Sequence, residues 1–200
     1  MRYFIGFLIT IGLIIFLIVL LFTGGGSKNN NQSDDGTKRP KTVQQLADFA
    51  STNAVVRLTI DGPINADQNH QSVQITVGND DTTYQQFQGY EGTVANQQTF
   101  ANNQTAYSNF LYALGHGGFL LGDGSKKLAN EKGYCPLGNR YVFELIEGGD
   151  TIQRYWATSC GNPKTYKGNL GLTLTLFQAQ VPNYSDLISN LRNLQPQSTL

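Results

Sequence analysis

Between Arg2 and Lys28 the chain carries no charged residue, and Tyr3 to Phe22 reads YFIGFLITIGLIIFLIVLLF. A helix rising about 1.5 Å per residue crosses a hydrocarbon core of roughly 30 Å with some 20 such residues. The run is longer than the 7–15 apolar residues, roughly, of a secretory signal, and Thr23-Gly24-Gly25-Gly26-Ser27 lacks an A-x-A cleavage pattern. No cysteine stands near its end to carry a lipid. A helix buried in a soluble core would show a polar face, and this one is apolar all round. The segment therefore predicts a single transmembrane helix over 3–22 behind a tail at 1–2, with the lipid bilayer as a partner.

Orientation is contested within the sequence. Arg2 precedes the span, while Lys28, Lys38, Arg39 and Lys41 follow it, which favours a cytoplasmic C-terminal side. Against this, long downstream domains cross largely regardless of charge. The two cysteines, Cys135 and Cys160, also read as an oxidised pair, and persistent disulfides belong outside the cytoplasm. The reading adopted is a cell-membrane protein with its C-terminal domain outside.

Thr23 to Lys41 (TGGGSKNNNQSDDGTKRPK) holds only polar residues, Gly and one Pro, too little apolar surface to offset chain entropy. Residues 23–41 are therefore expected to be a flexible linker, 42–194 one domain and 195–200 a disordered tail. Within 42–194, Val43, Leu46 and Phe49 fall at helical spacing. Ala54 to Ile60 alternates with Val56, Leu58 and Ile60 inward. Ser72–Val77 and Thr82–Phe87 form a hairpin that sets Ile75 opposite Tyr84, and a further strand fits between Gly92 and Phe100. Asn102 or Asn103 caps a helix to about Leu114, buried through Tyr107, Phe110, Leu111 and Leu114, with Gly115 and Gly117 as stop signals. Leu170 to Gln180 alternates leucines as a strand does, yet ends in good helix formers before Pro182. Helix is the reading taken, followed by a second one over 185–194.

Arg140–Ile146 and Thr151–Ala157 flank Glu147-Gly148-Gly149-Asp150, and a Gly-Gly pair supplies the positive φ of a tight hairpin. Regular pairing sets Leu145 opposite Ile152, Phe143 opposite Arg154 and Tyr141 opposite Trp156 on one face. Val142 with Tyr155 and Glu144 with Gln153 fall on the other. Extended outward, the register brings Cys160 opposite Leu137, near enough to Cys135 for a disulfide. Two unrelated buried thiols are the alternative. A redox pair would want C-x-x-C spacing, which is absent. Strands grouped around two or three helices make an α+β domain with a mostly antiparallel sheet and one disulfide.

The candidates for chemistry are sparse. His116 in Gly115-His116-Gly117-Gly118 resembles an oxyanion turn, but no Gly-x-Ser-x-Gly elbow accompanies it. Gly118 to Lys127 lacks the Gly-Lys-Ser/Thr of a phosphate loop. Asp61, Asn65, Asp67, Asn69 and His70 form a polar cluster without the glycine and terminal glutamate of a calcium loop. His116, His70 and Asp67 are kept as weak candidate site residues. No catalytic, cofactor-binding or metal-ligating set is assigned, and no cofactor is expected. Fourteen basic residues balance fourteen acidic ones without a dense basic patch beyond Lys41, which argues against nucleic acid. Asn and Gln abound instead (QQFQ, ANQQ, NNNQ), giving a soluble surface or one that contacts protein or carbohydrate through amides. Asn31, Asn103 and Asn183 begin N-x-S/T triplets, which matter only in a host that glycosylates.

Gly133-Tyr134-Cys135-Pro136, Tyr141-Val142-Phe143-Glu144-Leu145, Tyr155-Trp156-Ala157-Thr158-Ser159-Cys160-Gly161 and Leu176-Phe177-Gln178-Ala179-Gln180-Val181-Pro182-Asn183-Tyr184, taken together, resemble membrane-anchored exported proteins of Saccharibacteria-type candidate bacterial phyla. The resemblance implies a small bacterium, a single anchor and an exported domain, and it brings no function or functional residues with it. The expected function is a non-enzymatic extracytoplasmic domain for binding an envelope protein or glycan, or for envelope assembly. A pilin-like surface subunit and a cell-envelope hydrolase are the alternatives. The pilin reading is weakened by the lack of an acidic residue in the apolar segment and of a cleavable leader junction.

Overall fold

The computed structural model describes residues 46–189 and 191, which form an α+β domain. The expected span at 3–22, the linker at 23–41 and the tail at 195–200 lie outside these residues. Among the described residues no helix is long and apolar enough to cross a membrane. The helical stretch predicted from 42 is seen from Leu46, which is fully buried, and it tightens into a 3-10 turn over Phe49–Ser51.

Six strands form one antiparallel sheet: β1 (Val55–Asp61), β2 (Gln71–Val77), β3 (Asp81–Gln88), β4 (Thr93–Ala101), β5 (Arg140–Glu147) and β6 (Asp150–Thr158), in the spatial order β4-β3-β2-β1-β5-β6. The first four form a meander. The chain then runs through α1 (Gln104–His116) and a long loop, and β5 joins the free side of β1. Two further helices follow, α2 (Leu170–Gln178) and α3 (Tyr184–Ile188). Period-two alternation decides the faces. Val56, Leu58 and Ile60 on β1 pair with Val77, Ile75 and Val73 on β2, and all six are buried. Ile75 lies opposite Tyr84, as the sequence predicts.

The helices cover that face. Tyr107, Phe110, Leu111 and Leu114 of α1 are buried in the same cluster as Phe177 of α2, and the Phe110 and Phe177 rings meet edge to face at 5.3 Å. Asn103 caps α1 by accepting from the Ala106 amide at 3.0 Å. The helix runs to His116, past Gly115 and two residues beyond the expected end; of the two expected stop glycines Gly117 is the C-cap, and Gly118, at φ 76°, follows it. Leu170–Gln178 is a helix because Asn169 caps it through the Leu172 amide, and Thr173 and Phe177, one turn apart, face the core. The second predicted helix is shorter than expected, only Tyr184–Ile188.

The hairpin register also needs correction. Glu147 pairs with Asp150 and Ile146 with Thr151, as the Gly-Gly turn requires, but the register then shifts by one at Leu145/Ile146. Ile152 is the extra residue. Beyond it Leu145 faces Gln153, Glu144 faces Arg154, Phe143 faces Tyr155 and Val142 faces Trp156. A regular ladder would have turned Arg154 toward the core with Phe143; the bulge returns it to the outer face beside Glu144. The ladder ends at Arg140–Thr158 and Cys160 sits in the turn closed by the Gly161 amide on Thr158, so it does not oppose Leu137. Cys135 and Cys160 nonetheless lie at disulfide distance, with Cα atoms 5.8 Å apart.

The outer face is divided. At the β5–β6 end a loop covers it: Trp156 is buried, stacks on Tyr134 at 5.2 Å and donates from Nε1 to the Leu128 carbonyl at 2.8 Å. Across β1 to β4 it is polar, and no helix or strand among the described residues lies over it. One row runs Thr59, Gln74, Gln85, Gln97 and the next Arg57, Thr76, Thr83, Thr99.

Candidate functional site

Where the covered and open halves of the outer face meet, a cleft of about 410 Å³ opens at the end of the sheet. Its floor is one cross-strand row, Ser72 on β2, Asp61 on β1 and Arg140 on β5. One wall is His70 and Tyr90, the other the loop Glu131-Lys132-Gly133. Three charged or titratable residues on this cleft, His70, Glu131 and Arg140, are buried. Buried charges are costly unless paired, so their bonding indicates what they are for.

Asp61 is the hub. One carboxylate oxygen, Oδ2, accepts from Arg140 Nε at 2.8 Å and Nη2 at 2.7 Å, and the other lies 2.8 Å from His70 Nε2. Arg140 Nη2 also donates to the Gly62 carbonyl. Arg140 Nη1 is buried and has no hydrogen-bond partner among the described residues; the same holds for Thr158 Oγ1, on its cross-strand neighbour, and for Asn139 Oδ1. His70 is held at its second nitrogen too, with Nδ1 3.2 Å from the Pro63 carbonyl. Its ring stacks on Tyr90 at 3.9 Å with the planes 13° apart. Tyr90 is locked in turn: its hydroxyl accepts from the Asn65 amide at 3.1 Å and donates to the Asn65 carbonyl at 3.0 Å. Glu131 is paired with Arg154 at 2.6 Å.

This geometry does not make a proton relay. A general base needs a ring nitrogen directed at the group it deprotonates. Both nitrogens of His70 face acceptors inside the protein, and Ser72, although on the same floor, has neither of them to itself. The polar cluster of Asp61, Asn65, Asp67, Asn69 and His70 is bonded internally as well. Asp61 is occupied by Arg140 and His70, Asn65 Nδ2 donates to the Asn69 carbonyl at 3.2 Å, and Asp67 Oδ1 accepts from the Tyr90 amide at 2.7 Å. Among the described residues no group of three or more His, Cys, Asp or Glu could hold a metal ion.

Of the weak candidates, His70 lines the cleft, Asp67 braces the turn that carries Tyr90, and His116 is elsewhere: it is exposed at the end of α1, edge-on to Tyr112 at 4.6 Å. Sequence reasoning missed Arg140, Tyr90 and Glu131. The one available signal was Arg140, a charged residue opening a strand rich in aromatic and aliphatic side chains. No protein family, no curated protein and no solved structure matches the chain.

Proposed function

We propose that this is a membrane-tethered, extracytoplasmic binding module, and that its outer sheet face with the adjoining cleft takes a glycan or protein of the cell envelope. The observation that carries it is the bonding state of the cleft. Asp61, His70 and Glu131 are spent on internal partners, which makes them supports rather than reagents, while the groups left facing outward are mostly uncharged amides and hydroxyls, with Lys132 and Arg57 among them, beside one fixed aromatic ring. Gln85 donates to Gln97 at 2.9 Å and Gln74 to Thr59 at 3.2 Å, so the amides are already oriented. Tyr90 is half exposed and clamped on its inner face and at its hydroxyl. Rigid aromatic area with oriented hydrogen-bonding groups lowers the ordering cost of binding. A glycan fits these groups best, since sugar hydroxyls meet amides and sugar C–H faces meet aromatic rings.

The apolar segment at 3–22 and the Cys135–Cys160 pair support the tethered, exported part of the reading. The test uses the full chain in lipid nanodiscs, screened against bacterial envelope polysaccharides and purified envelope proteins. Retention of a ligand that Tyr90→Ala or Gln85→Ala weakens at least tenfold is the expected result. Retention unaffected by either change, or none up to millimolar concentrations, overturns it.

A further inference from the structure

A guanidinium carries five N–H groups, and three of those on Arg140 are spent. Nε and Nη2 donate to Asp61 Oδ2 at 2.8 and 2.7 Å, and Nη2 donates again to the Gly62 carbonyl. The two on Nη1 meet no acceptor among the described residues, although Arg140 is only 2 % exposed and lines the cleft. In a planar guanidinium Nη1 lies off the Nε–Nη2 edge, so its protons are turned away from Asp61. Thr158, opposite Arg140 on the ladder and on the same face, keeps a second unpartnered group, its Oγ1. Native folds bond nearly all buried polar groups, and a charged group left unmet is the costliest exception. The side chain is nonetheless fixed: His70 Nε2 holds Asp61 at 2.8 Å, and Asp61 holds the guanidinium. An oriented cation with unmet donors beside a cleft is equipped to recognise an anion.

We infer that this end of the cleft is a carboxylate subsite, and that the carboxylate belongs to a uronic acid of the envelope glycan proposed above, a reading on which the inference rests. Charge sets the class. Asp61 is matched by Arg140, and Glu131 by Arg154 at 2.6 Å. Lys132, on the facing loop, is exposed and has no ion-pair partner among the described residues. With His70 set aside, the cleft therefore carries one cation in excess. A single negative charge balances it, whereas the second charge of a dianion would be repelled by Asp61 and Glu131. The carboxylate accepts from Nη1, and Lys132 closes on it from the rim. The neighbouring groups suit the rest of a sugar ring. Ser72 offers a hydroxyl on the floor, and Tyr90, stacked on His70 through one face and 52 % exposed, offers apolar area to C–H groups beside Ile64.

The test titrates the full chain in lipid nanodiscs with polygalacturonate and with the polysaccharides of the retention screen. Each is used before and after carbodiimide–borohydride reduction of its carboxyls to neutral alcohols. Binding of an acidic polysaccharide that reduction weakens about tenfold or more is the expected result. Lys132→Gln is expected to weaken the acidic form about threefold and to leave the reduced form unchanged. Arg140→Lys keeps the charge but removes Nη1, and about tenfold is expected to be lost for the acidic form alone, with far-UV circular dichroism unchanged. If that variant fails to fold, Lys132→Gln and carboxyl reduction still decide. Equal binding of acidic and reduced forms overturns the inference; the glycan reading then survives alone if Tyr90→Ala weakens both. No binding of either form overturns the two together. Tighter binding of inorganic phosphate, or of a peptide through its C-terminal carboxylate, overturns the assignment to a uronic acid.

Discussion

Arg154 lies opposite Glu144 across the β5–β6 hairpin, its Nε 3.6 Å from the carboxylate, while its Nη2 reaches Glu131 at 2.6 Å. One guanidinium therefore holds two nearly buried carboxylates, one on the sheet and one on the loop that roofs Trp156. Removing it leaves Glu131 uncompensated and Glu144 with only Arg57 Nη1, at 3.8 Å. Breaking a buried pair costs about 3–5 kcal/mol, and the one-third exposure of Arg154 scales this down, so Arg154→Ala is expected to lose about 2–3 kcal/mol. Urea unfolding followed by Trp156 fluorescence checks it. The same variant should loosen the loop, seen as faster amide exchange at Leu128–Tyr134 than in the wild type. A loss below 0.5 kcal/mol, roughly the size of an isolated surface pair, would show that the carboxylates need no counter-charge.

Asp61 supports two buried groups, and Asp61→Ala takes the partner from both. Arg140 would be left with the Gly62 carbonyl alone and His70 with the Pro63 carbonyl. The expected destabilisation is about 3–5 kcal/mol. Replacing Arg140 by Met at the same time should recover part of it, because the uncompensated charge goes too. Urea midpoints of the two variants decide the matter, and a double variant no more stable than the single one would contradict this account.

How much of this could be read in the sequence depended on how locally it was encoded. The β1–β2–β3 register and the buried face of α1 follow from period-two and period-3.6 spacing within a few residues. The Ile152 bulge does not, because only the tertiary cost of turning Arg154 into the core selects it over a regular ladder. In Leu170–Gln178 the alternating leucines suggested a strand, but Asn169 supplied a cap and Phe177 a place in the core. The cleft was least legible. Asp61 and His70 stand out as parts of one polar cluster, but Tyr90, Glu131 and Arg140 come from separate elements, and nothing local in the sequence ties them to it.

Cys135 and Cys160 are 25 residues apart in sequence, and closing a loop of that length restrains the unfolded chain by about 3–4 kcal/mol in the chain-entropy model. The Cys135→Ser, Cys160→Ser double variant is expected to lose that much, measured by urea unfolding without reductant. Freshly isolated native protein should take up no thiol label until a reductant is added. Labelling at both positions before reduction would sink the exported placement of the domain, whatever the stability measurement shows.

Five tyrosines make the fold sensitive to alkali. Burial raises the pKa of Tyr84, Tyr107, Tyr141, Tyr166 and Tyr184 above the ordinary value, and the neighbouring Tyr84 adds to the rise at Tyr184. The native state therefore holds these protons more tightly than the unfolded chain. Stability is complete below pH 10, roughly the phenol value in an unfolded chain, and is lost as pH climbs from there through the folded values. Each such group contributes a slope of up to about 1.4 kcal/mol per pH unit. The urea midpoint is expected to be flat from about pH 8 to 9.5 and to fall steeply beyond about 10. Tyr107→Phe isolates one contribution. It loses the hydrogen bond to the Ala54 carbonyl, about 1 kcal/mol at neutral pH, but its alkaline slope should be shallower by one proton. Parallel slopes for variant and wild type would mean that Tyr107 ionises as readily folded as unfolded, and the buried position assigned to its hydroxyl would be wrong.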